Sequence, residues 1–188
     1  MSIRNTTRRW GVIAQLLHWV ILVLIIAQFV LAIMADDLPN NMKKLVLLSR
    51  HKSIGLTVFA LALVRLGWRW GNATPPLPST LKPYERLLAR GTHALLYVLL
   101  LVVPFTGWIM SSAHGFPVSW FGVFQLPDLV AKNHDLSEVL EETHETLAWT
   151  LAALVALHAG AALKHHFILK DDVLRRMLPS SKPEGTEP

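Results

Sequence analysis

The chain has 188 residues, of which 52% are hydrophobic and 16% are charged, with a net charge of +5 and no cysteine. A soluble domain carries roughly 25% charged residues, so this composition argues against an ordinary globular protein, and its hydrophobicity argues against a disordered one. Without cysteine, a disulfide framework, an iron–sulfur cluster and a cysteine-based zinc site are excluded, which leaves the nine histidines as the strong metal ligands.

Four apolar stretches follow one another, at about residues 11–35, 51–70, 91–113 and 140–167. A membrane-spanning helix needs roughly 20 mainly apolar residues. The second stretch reaches that length if Arg65 and Arg69 near its end extend toward the lipid headgroups. A soluble bundle would give each helix a polar face, whereas these stretches are apolar all round. The first is also longer than the apolar region of a signal peptide. We therefore predict an all-α, integral membrane four-helix bundle with up-and-down topology.

The rest of the chain connects these helices. A proline-rich turn at 72–78 follows the second helix, and a loop at about 114–135 follows the third. We predict one domain over residues 1–179 and a disordered polar tail at 180–188.

The basic residues are unevenly divided between the two sides of the predicted membrane. Of the 18 lysines and arginines, five fall in the loops after the first and third helices, namely Lys43, Lys44, Arg50, Lys52 and Lys132. The other thirteen lie before the first helix, from the end of the second helix to the start of the third, and after the fourth. The positive-inside rule therefore predicts that both termini are cytoplasmic. No basic and aromatic groove pattern indicates a nucleic-acid partner.

Four histidines fall at two depths of the predicted bundle. His144 and His158 are separated by 14 residues, which rise about 21 Å and return to nearly the same helix face. His51 opens the second helix at the level of His144, and His18 lies near the inner end of the first helix at the level of His158. Two such pairs are what two bis-histidine haems require, because haem iron accepts imidazole as an axial ligand. Two axial histidines leave no open position, which suits electron transfer.

Other interpretations of these histidines remain open. An intramembrane histidine can instead hydrogen-bond a neighbouring helix, and histidine also binds zinc and other metals. His93, near the inner end of the third helix, can compete with His18 as the inner ligand, or contact a haem propionate or a quinone. Lys164 and His165, at the inner end of the fourth helix, are candidates for quinone or propionate contacts, with lipid phosphate as the alternative.

Several short motifs, in this order and spacing, carry a family resemblance. They are LHW at 17–19, HKSIG at 51–55, HALLY at 93–97, HETLA at 144–148, LKHHF at 163–167 and KDDVLRRMLP at 170–179. With them the chain resembles the bacterial cytochrome b561 family, whose members are small four-helix dihaem proteins of the inner membrane. The resemblance covers nearly the whole chain.

The resemblance implies a function as well as a fold. It implies two b-type haems held by His18, His51, His144 and His158, and ubiquinone as the inner redox partner. One member of the family oxidises superoxide at the outer face and passes the electron to ubiquinone, so superoxide is one candidate for the periplasmic donor. Two alternatives are a haem-bearing membrane subunit that docks a periplasmic redox partner and a non-haem membrane transporter.

Overall fold

A computed structural model describes residues 2–78 and 80–179 of the chain, so the predicted tail at 180–188 lies outside the described residues. The described residues form four long helices: α1 (Val12–Asp36), α2 (Met42–Trp70), α3 (Pro83–His114) and α4 (His134–Lys164). Each is long and apolar enough to cross a membrane. The predicted all-α, four-helix membrane bundle is confirmed.

Both ends of the described chain lie on one side of the bundle, which we call the termini side. The Nε1 atom of Trp19 donates to the carbonyl of Met177 at 2.9 Å, and Gln15 Nε2 donates to the carbonyl of Arg176 at 3.2 Å. Asn5 Nδ2 donates to the carbonyl of Ala73 at 2.9 Å, which brings the connection between α2 and α3 to the same side. These contacts tie the segment after α4 across the end of α1.

A small antiparallel hairpin lies on the opposite side, which we call the hairpin side. It consists of β1 (Ser119–Trp120) and β2 (Phe124–Gln125), joined by a turn with positive φ at Phe121 and Gly122. Ser53 of α2 donates to the carbonyl of Ser119 at 3.0 Å, so the hairpin packs against that helix. The sequence analysis treated this segment as a connection, because strands of two residues are too short to show alternation.

Three helices begin earlier than their apolar stretches. They start at Met42, Pro83 and His134 instead of about residues 51, 91 and 140. The side chains of Asn41 and Asn133 accept hydrogen bonds from backbone N–H groups of the first turns, and Pro83 occupies a first-turn position, where it costs no hydrogen bond. Hydropathy detects only the part of a helix that lies in hydrocarbon, so it misses these polar ends. His51 and His144 consequently lie inside helices and do not open them.

The apolar core separates two levels of histidines. It is built from all four helices by Ile21, Ile25, Val58, Ala62, Leu99, Leu100, Val103 and Leu151. In α1, α2 and α3 the core residues follow His18, His51 and His93 along the helix, and in α4 Leu151 lies between His144 and His158. Side chains on the outer faces, such as Val23 and Leu157, are exposed, as expected for residues that face lipid. The core thus holds the two histidine levels apart.

Candidate functional site

His51 and His144 face each other on the hairpin side. Their ring centroids are 6.3 Å apart and their planes are inclined by 76°. His51 Nδ1 lies 3.2 Å from the carbonyl of Gln28, and His144 Nδ1 lies 3.0 Å from the carbonyl of Val103. A carbonyl can only accept a hydrogen bond, so each Nδ1 carries the proton and each Nε2 is left as the basic nitrogen. This is the tautomer that binds a metal through Nε2.

Neighbouring residues shape the space around these two rings. Thr106 Oγ1 lies 3.2 Å from His144 Nδ1 and donates to the Val103 carbonyl at 2.8 Å. Next to His51, a Cβ atom at Gly55 would come within 2.9 Å of Gln28 Nε2, and Gln28 Oε1 is buried without a partner among the described residues. The sequence analysis did not predict the hydrogen-bond partners of His51 and His144. Their acceptors, the carbonyls of Gln28 and Val103, are backbone groups that every residue has.

Three histidines meet on the termini side. The ring centroids of His18 and His158 are 6.1 Å apart, with planes inclined by 75°. His93 lies closer to His158, with centroids 5.2 Å apart and planes inclined by 71°. The structure therefore brings together the predicted pair and the competitor that the sequence analysis left open.

The ring separations test whether each pair fits a metal held from opposite sides. Two metal–nitrogen bonds of about 2.0–2.1 Å and two imidazole ring radii of about 1.1 Å give a centroid separation of ~6.3 Å. The His51–His144 and His18–His158 pairs match this separation, at 6.3 and 6.1 Å. The His93–His158 pair, at 5.2 Å, is too close for linear ligation. The two predicted pairs therefore fit the axial positions of a haem.

The donor set also bears on the kind of metal centre. Among residues 2–78 and 80–179, no group of three or more His, Cys, Asp or Glu side chains is arranged to hold a metal ion. A structural zinc site uses four protein ligands and a catalytic one uses three. Paired histidines suit haem, because the porphyrin supplies the other four nitrogens.

Arg65 of α2 contacts the first turn of α1. Its Nη1 atom donates to the carbonyl of Ala14 at 2.7 Å, so the side chain turns toward α1. Arg69, one turn later, lies over the rings of Trp10 and Tyr97, with 5.9 and 5.8 Å between its Cζ atom and the ring centroids. Both arginines are thus held by protein groups on the termini side.

The other two candidates lie where α4 ends. His165 begins a π-helical turn (His165–Leu169), and its Nδ1 atom lies 2.5 Å from Asp171 Oδ2. Lys164 is exposed, and His166 Nδ1 is buried without a partner among the described residues. The sequence analysis missed Asp171 as the partner of His165, although the two are only six residues apart, because no regular helix brings such a pair together.

Comparisons with known proteins agree with this arrangement. The family model described as prokaryotic cytochrome b561 matches residues 9–180. Cytochrome b561 homolog 2 of Escherichia coli (strain K12) is 36% identical over 98% of this chain and 98% of its own length. Cytochrome b561 homolog 1 of the same organism is 29% identical over 88% of this chain and 94% of its length. Probable superoxide oxidase CybB of Yersinia pestis is 29% identical over 88% and 93%.

Proposed function

Because the chain belongs to the prokaryotic cytochrome b561 family, we propose that it carries electrons through two haems, from a donor on the hairpin side to ubiquinone on the termini side. Membership in the family makes it a bacterial membrane protein of electron transfer, with b-type haem as the cofactor. The number of haems, the donor, the acceptor and the direction are our proposal. The family match favours a haem protein over the non-haem transporter that the sequence analysis left open.

The observation that supports two haems is the repetition of one ring separation at two levels of the bundle. His144 and His158 lie on the same helix, 14 residues or about 21 Å apart along its axis, and each faces a histidine of another helix at 6.3 or 6.1 Å. When bound, each haem supplies an iron that takes up and releases one electron. With two such centres in one bundle, an electron crosses the membrane in shorter transfers and not in one long one.

The chain's own residues hold and orient the ligands. The carbonyls of Gln28 and Val103 accept hydrogen bonds from His51 and His144, which fixes the ring orientation and makes Nε2 a better ligand. The core residues between the two levels exclude water, so a change of charge at either level is felt strongly.

On the hairpin side we propose superoxide as the donor. One relative carries the name probable superoxide oxidase. This side also holds Lys43, Lys44, Arg50 and Lys52 in the first turns of α2 and Lys132 just before α4, and such basic residues attract a small anion. Two superoxide anions would lose one electron each and become dioxygen. One ubiquinone would take both electrons with two protons and become ubiquinol.

On the termini side, the residues proposed to contact the quinone are His93, Lys164 and His165. His165 is paired with Asp171, so its second ring nitrogen is oriented and can donate a hydrogen bond to a quinone carbonyl. His93 lies beside His158, which places a polar side chain next to the proposed haem ligand. The excess of basic residues on this side supports a cytoplasmic location for both termini, in the inner membrane.

The test begins with the purified protein in detergent. Two haems b per chain with a low-spin, reducible spectrum are expected, and one or none would overturn the dihaem proposal. The protein is then given superoxide, generated enzymatically, together with a soluble ubiquinone analogue. Ubiquinol formation that stops when superoxide dismutase is added supports the proposed donor. Haem reduction by superoxide without ubiquinol formation contradicts ubiquinone as acceptor, and no haem reduction contradicts superoxide as donor.

A further inference from the structure

Arg65 is a cation within a membrane span that has no anionic partner among the residues that the structure describes. None of the ion pairs between described residues includes it, and its hydrogen-bond partners are the carbonyl of Ala14 and the side chain of Tyr97, both neutral. The side chain is only partly exposed. A charge in this position is costly unless something of opposite sign compensates it. An anion next to Arg65 would supply the opposite charge that these two neutral partners do not.

The position of Arg65 shows which anion fits. Ala14 precedes His18 by four residues, so the carbonyl that accepts from Arg65 is also the helix acceptor of the His18 N–H group. Arg65 is close enough to interact electrostatically with His18, His93 and His158. The charge next to the termini-side histidines is therefore positive, and it is reinforced by Arg69 one turn later.

We propose that Arg65 binds a propionate carboxylate of the termini-side haem and raises the midpoint potential of that haem. The inference rests on the proposed function, since it needs a haem between His18 and His158. Haem b carries two propionates, and a guanidinium matches a carboxylate with two parallel hydrogen bonds. One nitrogen of Arg65 is occupied by Ala14, so the head is already oriented when the carboxylate arrives. A fixed positive charge near iron favours the reduced form, which has one positive charge less.

Beside the hairpin-side pair the corresponding cation is Lys52, which interacts electrostatically with His51. The nearest lysine in sequence, Lys52, follows His51 directly, and its Nζ atom lies 5.5 Å from the centroid of the Phe116 ring. Acidic side chains also lie on this side, among them Glu141 near His114. Arg65 differs from Lys52 in that its guanidinium is held in place by the carbonyl of Ala14.

The experiment uses optical redox titrations of the full-length protein. Arg65→Gln and Arg65→Lys are made both in the wild-type chain and with His144→Ala, which is expected to leave only the termini-side haem. Arg90→Gln is the matched control, because Arg90 is an exposed arginine near the same end of the bundle. Redox-induced infrared difference spectra, recorded with haem labelled with ¹³C at the propionates, report on the carboxylates directly.

For Arg65→Gln we expect the midpoint potential of the termini-side haem to fall by the equivalent of a tenfold change in its reduction equilibrium, about 59 mV. The propionate bands should shift in the same variant. Arg65→Lys should retain most of the potential but alter the bands, since lysine keeps the charge without the paired geometry. The hairpin-side haem and Arg90→Gln should be unchanged.

Each other outcome overturns the inference or the proposal beneath it. An unchanged potential in Arg65→Gln, even with lower thermal stability, would show that Arg65 only stabilises the packing of α2 against α1. A lower potential with unmoved propionate bands would show that the charge acts without binding the carboxylate. A wild-type protein with fewer than two haems would instead refute the dihaem function, independently of Arg65. If Arg65→Gln does not fold, Arg65→Lys decides through its infrared bands.

Discussion

The imidazole of His144 lies directly against the backbone of α3 at Gly107. A Cβ atom built at Gly107 would stand 2.9 Å from His144 Cε1 and 3.2 Å from Nδ1. The Nδ1 atom of the same ring lies 3.0 Å from the carbonyl of Val103, one turn earlier in α3. The ring therefore sits in a slot that only glycine leaves open. The absence of a side chain at Gly107 therefore makes room for the His144 ring.

Gly107→Ala should lower the haem content of the protein. The new methyl group would push the His144 ring away from the Val103 carbonyl and spoil its alignment with His51. We expect the haem-to-protein ratio to fall from two toward one, measured by the pyridine haemochrome assay. Gly91→Ala is the matched control on the same helix, since nothing lies within 4 Å of its added Cβ. Full haem content in Gly107→Ala would contradict the assigned position of His144.

Replacing one ligand at a time should remove one haem at a time. His144→Ala is expected to remove the hairpin-side haem and His158→Ala the termini-side haem, because the pairs are separated by about 21 Å of helix. Optical spectra at low temperature and haem quantification measure the loss. His134→Ala serves as the control, since that side chain is 82% exposed and pairs only with Glu138 among the described residues. Retention of both haems in His144→Ala or His158→Ala would refute the ligand assignment.

His18 and His93 should respond differently to substitution. The His18–His158 separation of 6.1 Å suits a metal between the rings, whereas the His93–His158 separation of 5.2 Å does not. We expect His18→Ala to lose the termini-side haem and His93→Ala to keep it, with a changed midpoint potential because a neighbouring polar ring is gone. Electron paramagnetic resonance of the ferric protein distinguishes the two results. Loss of the haem in His93→Ala, with retention in His18→Ala, would show that His93 is the ligand and His18 its neighbour.

Asp171→Asn should weaken the reaction with quinone and leave both haems in place. Asp171 holds His165 at 2.5 Å, and an amide would orient that ring less strongly than a carboxylate. We expect KM for a ubiquinone analogue to rise several-fold in steady-state quinone reduction, with an unchanged haem spectrum. Asp172→Asn is the adjacent control, because Asp172 pairs with Arg176. An equal rise of KM in both variants would show that the substitutions act by disturbing the fold of this segment and not through His165.

The orientation in the membrane can be measured with reporter fusions. With both termini in the cytoplasm, green fluorescent protein fused to the C-terminus should fluoresce. Alkaline phosphatase inserted after Pro127, in the loop between the hairpin and α4, should be active because it reaches the periplasm. The thirteen basic residues that the sequence analysis assigns to the cytoplasmic side are the reason for this expectation. The reverse pattern of fluorescence and phosphatase activity would invert the proposed direction of electron flow.

Several features of the fold were predictable because they follow from local physics. Uninterrupted apolar runs near His18, Pro104 and His158 require membrane helices, since no other structure satisfies the backbone in lipid. The helix starts at Met42 and His134 were missed, because polar turns outside the hydrocarbon carry no hydropathy signal. The contact of Arg65 with Ala14 was not predicted, since its acceptor is a backbone carbonyl of another helix.

The sequence by itself determined that this is a four-helix membrane protein, and the helical rise placed His144 and His158 on one face at two depths. It left open whether His18 or His93 completes the termini-side pair, because both lie near the same end of the bundle. Only the tertiary structure gives their distances to His158, with ring centroids 6.1 Å away for His18 and 5.2 Å away for His93, and these distances favour His18. The physical reason is that helix periodicity sets depth and facing within one helix, whereas the distance between rings of different helices depends on how those helices pack.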